Sequence, residues 1–320
     1  MKKNIIFTIF RVFISIFFIY LIARKLNYKE IFEIIRNSNL LILTFAFILL
    51  FLINFLLALR FKYILEIYFK KRLSLYFVWK ITMIGLFFNN FLPTSAGGDI
   101  VKIFYVVKEQ KQKFLSGISI LLDRYIGSLT VMTMGAISIS FYQGEKGKIY
   151  HLIFILFFLL IFVFYFFSKR KVAVFFYSPI KKFIPSFLNE KLLNLYNSIN
   201  FYFIENTKKL YFSILISFFL QFLSILSQYL ISFSITGKTL SILPFFIFIP
   251  LVWVSTLIPS LGGLGIREFS YIFLFSDFLG KNNAYALSLL CLLSVILNSI
   301  IGGFIFLSFR NKNVKEFKVE

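Results

Sequence analysis

Leu92-Pro93-Thr94-Ser95-Ala96-Gly97-Gly98-Asp99 stops an apolar run that begins at residue 75, and Ile258-Pro259-Ser260-Leu261-Gly262-Gly263-Leu264-Gly265 stops another that begins at residue 241. Setting Pro93 against Pro259, 166 residues apart, brings Leu92 onto Ile258, Ala96 onto Gly262 and Gly97 onto Gly263. A proline lacks the backbone donor and clashes with the preceding turn, so each run leaves the helix there. A short helical stretch is expected after each break, not a solvated loop. Paired interrupted apolar helices in corresponding halves point to an internal repeat of the transporter type.

Around these breaks the chain is 59% hydrophobic with a mean hydropathy of +0.87. A soluble domain has no way to hide so much apolar surface, whereas a bilayer core about 30 Å thick takes roughly 20 apolar residues per spanning helix. Apolar runs occur at 5–23, 40–59, 75–92, 117–141, 149–168, 211–236, 241–258, 268–280 and 284–308. The class is therefore all-α and polytopic. The net charge of +22 comes from 35 Lys and Arg against 13 Asp and Glu. In a soluble protein that would suggest nucleic acid. Here most of it lies between apolar runs, where it sets topology and meets anionic lipid heads, so no nucleic-acid partner is expected. One Cys and one His exclude an internal disulfide and a His/Cys metal cluster. No phosphate-binding G-x-x-x-x-G-K-[ST] run occurs, and no cofactor is expected. Lys2 and Lys3 precede the first run without an A-x-A pattern, which reads as a retained anchor.

Charge placement orients the spans. If each broken segment is a re-entrant hairpin, six full spans remain, the hairpin near 75–108 dips from the inside and that near 241–280 from the outside. On this arrangement 23 of the 35 Lys and Arg fall in inner segments (1–4, 60–74, 99–116, 169–209, 310–320) and eight in outer ones, as the positive-inside bias requires. An inverted repeat with both termini cytoplasmic follows, in a bacterial or archaeal cytoplasmic membrane. The alternative is eight ordinary spans and one short segment. The chain divides as one membrane domain, 1–320: a first half 1–168, an amphipathic linker 169–209 on the cytoplasmic leaflet, and a second half 210–320.

Backbone that leaves the helix at membrane depth is tolerated only where protein buries it or water reaches it. Each restarted half-helix turns free N–H groups and about half a positive charge toward the interior. Two such ends suit an anionic group such as a phosphate, and glycines allow close approach. The candidate contacts at the first break are Pro93, Thr94, Ser95, Gly97, Gly98, Asp99 and Lys102. Those at the second are Pro259, Ser260, Gly262, Gly263, Gly265, Arg267 and Glu268. Asp123 and Arg124, inside the 117–141 run, join them, because ionised residues there face a cavity or a partner. Each has a structural alternative: the breaks as packing kinks, Asp99 as a helix cap, Arg267 paired with Glu268 or Asp99 or snorkelling to the interface, and Asp123 neutralising a buried charge such as Lys102. Asn89, Asn90, Gln221, Gln228 and Asn298 line a polar path or, more simply, bond between helices.

These residues resemble the lysylphosphatidylglycerol synthetase transmembrane-region family, also called flippase-like integral membrane proteins. The matching stretches are Asn89-Asn90-Phe91-Leu92-Pro93-Thr94-Ser95-Ala96-Gly97-Gly98-Asp99, Asp123-Arg124-Tyr125-Ile126-Gly127 and Ile258-Pro259-Ser260-Leu261-Gly262-Gly263-Leu264-Gly265-Ile266-Arg267-Glu268. Lys102 stands where family members often carry Arg, and Asp123 where Glu is common. The larger synthetases append a soluble aminoacyl-transfer domain, expected to be absent here. The resemblance implies the lipid-handling half: binding an anionic or polyprenyl-phosphate lipid and moving its head group between leaflets. Two other classes stay open, a lipid-modifying enzyme using Asp99, Asp123 and Glu268 as acid and base, and an accessory subunit of a lipid-modifying enzyme partner.

Overall fold

The computed structural model describes residues 20, 28–69, 72–91, 97–142, 149–180, 185–204, 207–256, 258, 260 and 263–316. Among them are twelve α-helices: α1 (Tyr28–Arg36), α2 (Leu40–Tyr68), α3 (Leu75–Phe91), α4 (Gly97–Gln110), α5 (Lys113–Phe141), α6 (Ile149–Ser168), α7 (Arg170–Ile180), α8 (Ser186–Ile204), α9 (Thr207–Thr236), α10 (Leu243–Ser255), α11 (Ile266–Leu279) and α12 (Lys281–Glu316). Five are long and apolar enough to cross a bilayer: α2, α5, α9, Tyr150–Ser168 of α6 and Lys281–Phe309 of α12. The chain is thus a multi-pass integral membrane protein. The sixth expected span, 5–23, lies outside the described residues apart from Tyr20.

The four shorter apolar helices form two pairs. At 1.5 Å per residue, the 17 residues of α3, the 13 of α10 and the 14 each of α4 and α11 fall short of a core about 30 Å thick. Helix α4 packs on α3 and α5, and α11 packs on α10 and α12. Each pair turns sharply into the long helix that follows. Between α4 and α5 the link is Lys111-Gln112, with Lys111 at φ +57, and between α11 and α12 it is Gly280 alone, at φ +81.

A central pair, α2 against α9, runs through the molecule, and the other elements pack around it in crossed order. Helix α3 rests on α12, while α10 rests on α5. The starts of α2, α3, α4 and α5 recur in α9, α10, α11 and α12 at a spacing of 167–169 residues. Small residues at one repeat position make the crossed contacts close. A Cβ on Gly135 of α5 would lie 3.2 Å from Pro250 of α10, and one on Gly303 of α12 would lie 3.0 Å from Phe87 of α3. Next to it, a Cβ on Gly302 would come within 2.2 Å of the Met83 carbonyl oxygen.

Two stretches differ from expectation. Helix α2 does not end near residue 59 but runs on to Tyr68, because Phe61, Ile64, Leu65 and Ile67 continue its buried face past Arg60. Residues 28–36, expected as an outer loop, form α1, which packs on α12 with Ile31 buried. Asn39 closes that link: its Oδ1 accepts from the N–H groups of Leu41 and Ile42, and its own N–H donates to Ser234 O at 2.9 Å. The segment expected as an amphipathic linker contains α7 and α8. Helix α8 is held by Tyr202, which is 1% exposed and hydrogen bonded to Ser119 of α5 at 2.6 Å. Helix α7 keeps Arg170, Lys171, Phe175 and Phe176 exposed.

Candidate functional site

The first half builds its site where α4 starts. Gly98 seats that start against α3, and a Cβ there would stand 2.0 Å from the Gly85 carbonyl oxygen. Asn89 Oδ1 accepts the Gly98 N–H at 2.8 Å, satisfying one of the free donors of the first turn. Asp99 also lies in that turn. Its carboxylate accepts from Arg124 Nε of α5, with Arg124 still 44% exposed and Asp99 15%. A charged pair holds an arginine more strongly than one more backbone N–H would hold the carboxylate.

Deeper in the bundle, Asp123 takes a partner that the sequence did not suggest. Arg60 Nε donates to Asp123 Oδ1 at 2.8 Å, and Arg60 Nη1 donates to Ser217 Oγ at 2.9 Å. Ser217 in turn shares a 2.7 Å bond with Thr130. The guanidinium lies against Gly127, where a Cβ would be 3.1 Å from Nη1. All four polar side chains are buried, so the network ties α2, α5 and α9 together. Pairing and hydrogen bonding offset the cost of taking both charges out of water.

Lys102 completes the cluster. Its stem runs beside Gly85, with Cε 2.8 Å from a Cβ built there, and its ammonium stands 5.4 Å from the centre of the Phe61 ring. It feels Asp123, Asp99, Arg124 and Arg60, but among the described residues it has no hydrogen bond or ion pair. Both carboxylates are committed to arginines. The cluster therefore holds Arg60, Lys102 and Arg124 against Asp99 and Asp123, one formal positive charge in excess.

The second half builds its counterpart at the start of α11. Gly263 and Gly265 adopt φ +82 and +83, a backbone region open to glycine at little cost. Glu268 Oε2 accepts the Gly265 N–H at 2.6 Å, and Glu268 Oε1 accepts from Arg267 Nε at 3.2 Å and Nη2 at 3.1 Å. With side chains 14% and 7% exposed, the pair is neutral and closed. Nearby, Tyr271 donates to Gln228 Oε1 beside Cys291. At a spacing of 168 or 169 residues Glu268 answers to Asp99, Tyr271 to Lys102, Cys291 to Asp123 and Gln228 to Arg60. Three of these four positions are ionic in the first half and uncharged in the second; the carboxylate alone is kept.

A model of the lysylphosphatidylglycerol synthase TM region matches residues 8–303, both clusters included. The chain belongs to that family. No curated protein and no solved structure matches it.

In this member of the lysylphosphatidylglycerol synthase TM region family, the expected site residues separate into two groups. Gly97, Gly98, Asp99, Lys102, Asp123 and Arg124 gather at the α3–α4–α5 junction, and Ser260, Gly263, Gly265, Arg267 and Glu268 at the α10–α11 junction. Among the described residues no extended packing joins α4 to α11. Pro93, Thr94, Ser95, Pro259 and Gly262 lie outside the described residues. Ser260 is 2% exposed, and among the described residues its Oγ has no hydrogen-bond partner. The amides of the supposed polar path bond between helices: Asn54 to Asn298 at 2.7 Å, Asn90 to Ser299 at 2.5 Å, and Gln221 to the Gly127 carbonyl at 3.4 Å. Among the described residues no group of three or more His, Cys, Asp or Glu gathers to hold a metal ion. The missed residue is Arg60. Its signal is the helical apolar pattern on its C-terminal side, which places it inside a span rather than after one.

Proposed function

We propose that this protein binds an anionic or polyprenyl-phosphate membrane lipid and moves its head group between leaflets. The observation that carries this is the basic side chain in excess of the carboxylates at the first junction, beside an arginine that keeps nearly half its side chain exposed. In a membrane interior an ionised group needs a partner or water, and a lipid phosphate supplies both charge and acceptor oxygens. The head group sits near the midplane, at the broken hairpins α3–α4 and α10–α11, with acyl chains left in the bilayer. Asp99, Lys102, Asp123 and Arg124 serve it in the first half, and Ser260, Arg267 and Glu268 in the second.

The recurrence of helix starts and the crossed packing of α3 on α12 and α10 on α5 support an inverted repeat. Its hairpins enter from opposite faces and both termini are cytoplasmic. Six full spans, counting 5–23, then frame the two hairpins, with 169–209 as the linker between halves. Moving Arg60 from an inner loop into the bundle leaves the positive-inside bias standing.

The test is native mass spectrometry of the gently solubilised protein. One enriched anionic or polyprenyl-phosphate lipid, retained by the wild type and lost on Arg124→Ala, is the expected result. Retention of bulk lipid without enrichment in either protein overturns the proposal.

A further inference from the structure

We propose that Lys102 couples binding of the lipid anion to uptake of one proton from water. The inference rests on the proposed function above and adds to it a link between head-group binding and pH.

The argument is one of charge balance. Four charged groups act on Lys102: Arg60 from α2, Asp99 from its own helix, and Asp123 and Arg124 from α5. Helix α3 presents Gly85 to its stem and no titratable side chain; the lysine of that helix, Lys80, instead lies over the rings of Tyr76 and Phe309. Asp123 is held by Arg60 and Asp99 by Arg124. Each pair is neutral, so neither carboxylate remains to balance an ammonium at Lys102. The Phe61 ring at 5.4 Å attracts a cation but does not cancel a charge. The sequence of the two breaks, 92–96 and 257–262, carries no charged side chain.

The cluster is thus electrically balanced in two states. In one, Lys102 is an amine and no anion is present. In the other, Lys102 is an ammonium and a singly charged anion lies against it. Passage between them forms one N–H bond at Nζ with a proton from water, and breaks none in the lipid. Of the three cations only the lysine can make this exchange, because a guanidinium keeps its proton at any accessible pH. The resemblance places an arginine at this position in many relatives, and the coupling is a consequence of the lysine in this chain. In the second half Tyr271 holds the equivalent place, bonded to Gln228, and offers no cation.

Isothermal titration calorimetry of short-chain phosphatidylglycerol, a phosphodiester with no titration of its own in the working range, into protein in neutral detergent tests the proposal. Repeating it in buffers of different ionisation enthalpy counts the protons. The expected result is about one proton taken up per lipid bound, with Kd rising about tenfold per pH unit on the alkaline side. Lys102→Arg should bind with no proton uptake and a flat pH profile, and Lys102→Met should bind at least tenfold more weakly. Wild type and Lys102→Arg both binding without proton uptake overturns the coupling and leaves lipid binding intact. No binding by either, in protein that elutes as a single species, overturns the reading of the site itself.

Discussion

Arg60 shows how a single residue can change the meaning of its neighbours. Read along the chain, it ends an apolar run and belongs to a positive loop. In the bundle it is 4% exposed and neutralises Asp123. Removing one member of such a pair leaves the other charged and buried, at a cost of about 3–5 kcal/mol, whereas replacing both with apolar side chains of similar size is close to neutral. Arg60→Ala should therefore lower the thermal unfolding temperature in detergent sharply, and Arg60→Met combined with Asp123→Leu should recover most of the loss. Equal losses in the single and double variants would contradict the pairing. The sequence made the cost of Asp123 legible, because a carboxylate in an apolar run must be compensated. It did not name the compensating group, since the partner stands 63 residues away on another helix. Lys102 is nearer in sequence and feels Asp123, but the hydrogen-bonded partner is Arg60.

At the level of elements, the long spans were legible for a simple reason. Lipid demands that every face of a spanning helix be apolar or paired, and α2, α5, α6, α9 and α12 each contain an apolar window long enough to meet it. The two breaks were legible through proline and glycine. The close seat of α4 on α3 was not, because a glycine pair in a Pro/Gly-rich stretch can serve either a turn or a contact. Gly98 serves a contact, backbone against backbone, and Asn89 reaches across it. Gly98→Ala should force α3 and α4 apart, costing about 1–3 kcal/mol as overpacking does. Gly117 of α5, where a Cβ would meet nothing within 4 Å, should gain up to ~1 kcal/mol as alanine, because alanine is the better helix former. Thermal unfolding of the two variants should thus move in opposite directions. A fall of equal size in both would remove the contact from the account of the hairpin.

For the whole molecule, the twofold plan was visible in sequence only at the two breaks, where Pro93 aligns with Pro259. Elsewhere the halves have diverged so far that equivalent positions hold Arg60 and Gln228, or Asp123 and Cys291. Their kinship lies in helix lengths and crossed packing, which composition does not record. The inverted plan makes a direct statement about sidedness: Lys238, between α9 and α10, lies opposite Lys111, between α4 and α5. A reporter active only outside the cytoplasm should work when fused after residue 238 and fail when fused after residue 111. Activity at both, or cytoplasmic placement of residue 238, would sink the inverted arrangement.

The two crossed contacts are alike in kind but unequal in closeness. Gly302 lies so near Met83 that no Cβ fits between them, while Gly135 leaves a little more room beside Pro250. If the halves are inverted as proposed, exchanging their shapes would give a second body that opens to the other side of the membrane. Gly135 and Gly303 occupy one repeat position, and a Cβ on each would stand 3.2 Å from Pro250 and 3.0 Å from Phe87, so each seam is built to take the shape of the other.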